Sequence, residues 1–128
     1  MNDKKSTIQD LKNLIEKFRT ERNWGKHHSP KNLAVSIAIE AAELLEHFQW
    51  DNYREENKND LEGELADIII YCLFFAVSNN IDISKAVERK IDHISKKYPV
   101  SVFNNKKDDP KDYWQIKKKY RAQNSTKK

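Results

Sequence analysis

From Leu65 to Val77 the chain reads LADIIIYCLFFAV, an apolar run broken by a single charge, Asp67. The run is shorter than the ~20 residues of a membrane span, so no membrane is expected as a partner. On a helix its apolar side chains fall on every side, and such a helix is buried by neighbours on several sides. Its β-branched residues leave a strand as the weaker alternative. Cys72, inside the run, reads as a small buried hydrophobe. As the only cysteine it leaves no disulfide framework or zinc cluster within one chain.

The rest of the chain reads as helix too. Two glycines and three prolines leave room for few sharp turns, which disfavours a β-sandwich or barrel. A first helix is expected to start near Ser6, spaced from Gln9 as in a capping box, and to carry Ile8, Leu11, Leu14, Ile15 and Phe18 at helical spacing until it stops before Gly25. Trp24 to His28 reads as a loop. Ser29-Pro30 then starts a second helix, with Ser at the N-cap and Pro in the first turn. That helix runs to about Trp50, its apolar stripe made by Leu33, Ile37, Ala41, Leu44 and Phe48.

Tyr53 to Asp60 is a polar connection with room for some helix, and the third helix spans about Asp60 to Ser78. Asn79-Asn80 ends it. Asp82 or Ser84 caps a fourth helix bearing Ile83, Val87, Ile91 and Ile94, which closes at Tyr98-Pro99. Asp109-Pro110 can cap a short further helix with Tyr113, Ile116 and Tyr120. The expected fold is all-α: an antiparallel four-helix bundle-like domain over residues 1–100, and a polar C-terminal extension over 101–128. With 38% hydrophobic and 34% charged residues, the domain is expected to complete its core by association.

The formal net charge is +4, and much of the excess lies at Lys106, Lys107, Lys117, Lys118, Lys119, Arg121, Lys127 and Lys128. Asp108, Asp109 and Asp112 interrupt that cluster, which reads as a solvated tail; nucleic acid is not expected as a partner. The opening MNDKKSTIQD has no apolar signal region, so a cytoplasmic, soluble protein is expected.

The chemistry lies in the acids. Glu40 and Glu43 in the second helix are spaced i,i+3, and Glu64 and Asp67 in the third repeat that spacing. Most such pairs are solvated faces. Here Asp67 sits in an apolar helix, where an uncompensated carboxylate would cost several kcal/mol. No Lys or Arg lies between Asn32 and Tyr53 or between Asn59 and Val77. A metal is the natural neutraliser, with a structural ion-pair network as the competing reading. Four carboxylates without Cys suit Mg²⁺, or Mn²⁺ in its place, rather than zinc. A bundle-type di-iron site uses Glu-x-x-His. Glu43 and His47 are instead i,i+4, and the third helix has no histidine, so di-iron does not fit. Trp24, Trp50 and Tyr71 add flat aromatic groups, which beside a metal suggest a planar ligand carrying phosphates, such as a nucleotide. Each taken singly also reads as core packing.

These residues resemble a known family. Glu40-Ala-Ala-Glu43 followed by Glu64-Leu-Ala-Asp67 is similar to the ExxE…ExxD signature of the all-α nucleoside triphosphate pyrophosphohydrolases, the MazG-like group. Phe18-Arg-Thr-Glu21-Arg22-Asn-Trp24, His28-Ser-Pro-Lys31-Asn32-Leu, the stretch ending in Phe-Gln-Trp50, and Lys97-Tyr98-Pro99 resemble the branch that contains dCTP pyrophosphatase. The resemblance covers roughly residues 8–100. It implies hydrolysis of a (deoxy)nucleoside triphosphate to monophosphate and pyrophosphate, a nucleotide-pool house-cleaning role, and a homodimer or homotetramer. By the same resemblance Glu40, Glu43, Glu64 and Asp67 hold the ions. Trp24, His28, Asn32, Trp50 and Tyr71 match positions lining the nucleotide pocket, and Lys31 and Lys97 are candidates for the phosphate tail. One position departs: relatives commonly carry Asn where this chain has Ile94, and His93 is the neighbour available to take its place. The competing class is a non-catalytic helical module that binds nucleic acid or a protein through the basic tail. The buried position expected for Asp67 argues against it.

Overall fold

A computed structural model describes residues 1–50, 58–104 and 109–125, and every regular element among them is helical. The chain divides into two units, Met1–Ile83 and Ser84–Lys128.

The first unit contains α1 (Ile8–Glu21), a 3₁₀ turn (Gly25–His27), α2 (Pro30–Glu46) and α3 (Lys58–Ser78). The N-cap of α1 is Thr7, one residue past the position expected for it. The Thr7 hydroxyl accepts from the Asp10 backbone N–H, and the Asp10 carboxylate accepts from the Thr7 N–H at 2.8 Å. A charged acceptor at the third helical position makes the stronger box, and Asp10 offers it where Gln9 does not. Ser29 caps α2 as its sequence suggests, accepting from the Asn32 N–H. That helix stops at Glu46, short of Trp50, and turns through His47 to Trp50. Residues 51–57 lie outside the described residues, and with them most of the polar connection; its last residues, from Lys58 to Asp60, belong to α3.

The helix α3 packs first against α2 and then against α1. Ile15 of α1, Leu33 of α2, and Leu73 and Phe74 of α3 form the core, with Leu11, Ile70, Tyr71, Phe75, Val77 and Ile83 closing around it. Burying each such side chain contributes about 1.5–3 kcal/mol. Two polar ties add orientation. Arg19 pairs with Glu16 and donates to the Ser78 hydroxyl at 2.9 Å, and Lys12 donates to the Ile81 carbonyl at 2.8 Å. Asn79-Asn80 does end α3. Asn80 takes φ 53°, and the Ile81 N–H returns to the Ala76 carbonyl at 2.8 Å. Asn is among the few residues that adopt this left-handed conformation readily.

The expectation that α3 is buried on all sides fails within the chain. Only Leu73, Phe74 and Ala76 of α3 are buried, whereas Leu65 and Ile69 are about half exposed, and Asp67 and Cys72 are exposed. Two neighbouring helices cover only part of a helix's circumference. The Cys72 thiol is nonetheless partly desolvated, which pushes its pKa up.

In the second unit α4 (Ile83–Lys97) ends just before Tyr98-Pro99, as expected. A four-residue α5 (Val100–Phe103) follows, and α6 (Pro110–Ser125) is longer than the short helix its sequence suggested. Aromatic and cationic groups hold this unit: Tyr98 stacks on Tyr113 at 5.2 Å, while the Lys97 ammonium lies over the rings of Tyr98 and Tyr120. No helix of the described residues is long and apolar enough to cross a membrane.

Candidate metal and nucleotide site

The α2–α3 interface brings the acidic pairs together. Glu40, Glu43 and Glu64 each place an oxygen so that the three lie within 4.8 Å of one another. The i,i+3 spacing puts Glu40 and Glu43 on one face of α2, and the packing sets Glu64 opposite them. Glu40 and Glu64 are half-buried and Glu43 is exposed. Asp67 lies outside that triad, yet its charge is felt at Glu40. The Glu40 carboxyl is pushed above the ordinary range, first by burial, then by the charge of Glu43 and a hydrogen bond with it, then by Asp67 and Glu64. Such crowding is costly without a proton or a cation to relieve it.

The donor set fits a hard divalent cation: carboxylate oxygens only, and no Lys or Arg nearby on either helix. The physical reason differs from the one the sequence suggested. Asp67 is exposed, so its burial does not demand a metal; the mutual repulsion of the carboxylates favours one instead. One histidine also reaches the group. His47 Nε2 lies 3.2 Å from Glu64 Oε1, with both side chains about three-quarters covered.

The remaining candidates are spread more widely. His28 is half-buried with its ring 4.7 Å from that of Phe74, and Tyr71 meets Phe74 edge-on at 6.2 Å. Burial, then Arg19 and His27, hold the His28 pKa below the ordinary histidine value. Trp24 packs edge-on to Phe18 at 5.4 Å and is half exposed. Asn32 is engaged locally, its amide donating to the His27 carbonyl at 3.0 Å. Lys31 is exposed at the start of α2, and Trp50 is 87% exposed at the end of the turn after it. Lys97 belongs to the second unit, as does His93, which meets Tyr120 edge-on at 6.2 Å.

Three features were missed by reading the sequence. Phe18 and Phe74 line an apolar cavity of about 300 Å³ with Leu14, Ile15 and Ile70. The Arg19 guanidinium lies 5.4 Å from the Phe74 ring centre, next to His28 in its electrostatic effect. His47 bonds Glu64 rather than standing as a ligand candidate. Phe74 carried only a core signal, and Phe18 and Arg19 stood in a family-like stretch that assigned them no role, because their roles depend on which helices meet.

Fold and site together define a helical protein with a carboxylate cluster on two packed helices. Residues 35–113 match the MazG-like family, and the chain belongs to it. It is 32% identical over 104 residues to dCTP pyrophosphatase 1 of Rattus norvegicus, and 34% identical over 104 residues to that of Bos taurus. Each match takes in 75% of this chain, and the chain spans 61% and 62% of the length of those relatives. Among solved structures it is similar to a pyrophosphatase from Archaeoglobus fulgidus DSM 4304, with 40% identity and a TM-score of 0.67, over 77% of this chain and 98% of that one.

Proposed function

We propose that the chain is a divalent-metal-dependent nucleoside triphosphate pyrophosphohydrolase, acting in nucleotide-pool house-cleaning on dCTP-like substrates and yielding monophosphate and pyrophosphate. The observation that carries this reading is the Glu40–Glu43–Glu64 triad with Asp67 beside it, in a chain of the MazG-like family. The names of the dCTP pyrophosphatase relatives and of the archaeal pyrophosphatase support the reaction class.

In this reading Glu40, Glu43, Glu64 and Asp67 hold Mg²⁺, with Mn²⁺ as a substitute. When bound, the cation neutralises phosphate charge and acidifies a water for attack. The protein's own groups do the rest. A cation held there would favour the ionised form of Glu40, whose carboxyl is raised first by burial and then by its acidic neighbours. His28 and Tyr71 offer flat faces to a base, and the cavity lined by Phe18 and Phe74 is large enough for a small planar group. Trp24, Trp50 and Asn32 complete the nucleotide-holding set, while Lys31 and Lys97 are assigned to the phosphate tail. We also assign the half-exposed apolar residues Val35, Ile39, Leu65 and Ile69 to contact with a second copy in a homodimer or homotetramer. A cytoplasmic location accords with a nucleotide substrate.

The test is a pyrophosphate-release screen over canonical and modified nucleoside triphosphates with Mg²⁺ and Mn²⁺. Turnover of at least one pyrimidine deoxynucleotide is expected. Glu43→Ala is expected to lower it by on the order of a hundredfold to a thousandfold with the circular dichroism spectrum unchanged. No turnover across the panel, or a fully active Glu43→Ala variant, sinks the proposal.

A further inference from the structure

We propose that His47 is a positioning residue for the cation site, holding the Glu64 carboxylate in the orientation that a divalent ion needs. This rests on the metal reading above and extends it to a residue outside the carboxylate set.

The case begins with geometry. His47 is the C-cap of α2 and Glu64 lies near the start of α3, so the contact joins the two helices that carry the acids. The Nε2–Oε1 distance is 3.2 Å, and each side chain is only about a quarter exposed. A carboxylate oxygen accepts, so the contact is a hydrogen bond to Glu64 in the tautomer that carries its hydrogen on Nε2. Glu64 is the one member of the triad contributed by α3, and it stands against two like-charged groups on α2. Left alone, a flexible glutamate in that field turns away toward water. A donor on one oxygen holds the group in place and leaves its remaining lone pairs for a cation.

The spacing explains why the donor is at this position. His47 is i,i+4 from Glu43, one turn further along α2, so its ring rises on the same side as the acids. It is also the one basic-type side chain between Asn32 and Trp50. Groups that orient a ligand through its free atoms typically change metal affinity by about 10- to 100-fold when removed.

The experiment measures Mn²⁺ binding alone, by electron paramagnetic resonance and calorimetry on the full chain without nucleotide. Wild type, His47→Ala, His47→Gln and Glu43→Ala are compared. His47→Ala is expected to weaken Mn²⁺ binding by about tenfold or more. The Gln amide can reach where Nε2 sits and donate, so His47→Gln is expected to recover most of that loss. The Mg²⁺ concentration giving half-maximal turnover should move in the same order. Binding unchanged in His47→Ala but lost in Glu43→Ala overturns the positioning role and leaves the cation site standing. Equal loss in His47→Ala and His47→Gln also overturns it, since the donated hydrogen bond would then be irrelevant. A wild type that binds no Mn²⁺ overturns both readings. Circular dichroism melts on each variant separate a lost site from a lost fold.

Discussion

The two halves of α3 both carry large apolar side chains, and those side chains live in different surroundings. The C-terminal half, from Tyr71 to Ser78, carries Leu73, Phe74 and Ala76 into the core against Ile15 and Leu33. The N-terminal half carries Glu64 and Asp67 and leaves Leu65 and Ile69 about half exposed. An apolar residue on a helix signals that something will cover it; it does not say whether the cover comes from the same chain. One half of α3 stabilises the unit, while the other half presents the acids.

The contrast can be broken by mutation, and the largest effect belongs to the core half. Phe74→Ala is expected to cost about 3–5 kcal/mol, a large share of a typical domain's stability; urea denaturation measures it. A loss below about 1 kcal/mol would mean that the cavity beside Phe74 collapses at no cost, and the two halves would not differ as described.

Ile69→Lys probes the other half. If a second copy covers this face, the variant shifts to a smaller species in light scattering. If the face is solvated as in the single chain, the change stays within about 0.5 kcal/mol and the mass is unaltered.

Glu40→Gln sharpens the electrostatic side. The raised pKa of Glu40 means that its protonated form is favoured in the fold. Its stabilising contribution is present at low pH and is lost as the pH rises through that raised value. Metal-free wild type should therefore be less stable than Glu40→Gln at neutral pH, by roughly a few degrees in melting temperature. The gap should close on acidification. Adding Mg²⁺ should reverse the order, because only wild type retains the full carboxylate set. Melts in chelator and in Mg²⁺ from acid to neutral pH check this, and a pH-independent gap would contradict it.

The smallest effect is expected at Gly63, in the interior of α3 beside Glu64, where an added methyl meets nothing within 4 Å. Gly63→Ala should stabilise by about 0.5–1 kcal/mol, through helix propensity and a less flexible unfolded chain. A loss of stability or activity instead would reveal a second copy or a substrate pressing on that glycine.

Much of the helical order is legible because it is local. The Ser29 cap, the Asn79-Asn80 stop and the break at Tyr98-Pro99 are each read within a few residues, since a cap or a stop needs only its own backbone neighbourhood. The misplaced start at Ser6 is of the same kind: two overlapping boxes compete, and the charged acceptor Asp10 wins. The true end of α2 at Glu46 was not legible, because Phe48 and Trp50 continue the apolar pattern past the point where the helix turns.

The sequence by itself determined the helical class, the apolar run, and two acidic pairs whose spacing places each pair on one face. Periodicity and spacing are properties of a helix alone, so no partner is needed to read them. The tertiary structure decided that Glu64 meets Glu40 and Glu43 within 4.8 Å, that His47 bonds Glu64, and that Asp67 is exposed rather than entombed. Those facts depend on which faces of α2 and α3 are turned together. Hydropathy carries no record of that choice, because the free energy of burial is set by area removed from water and not by which neighbour removes it.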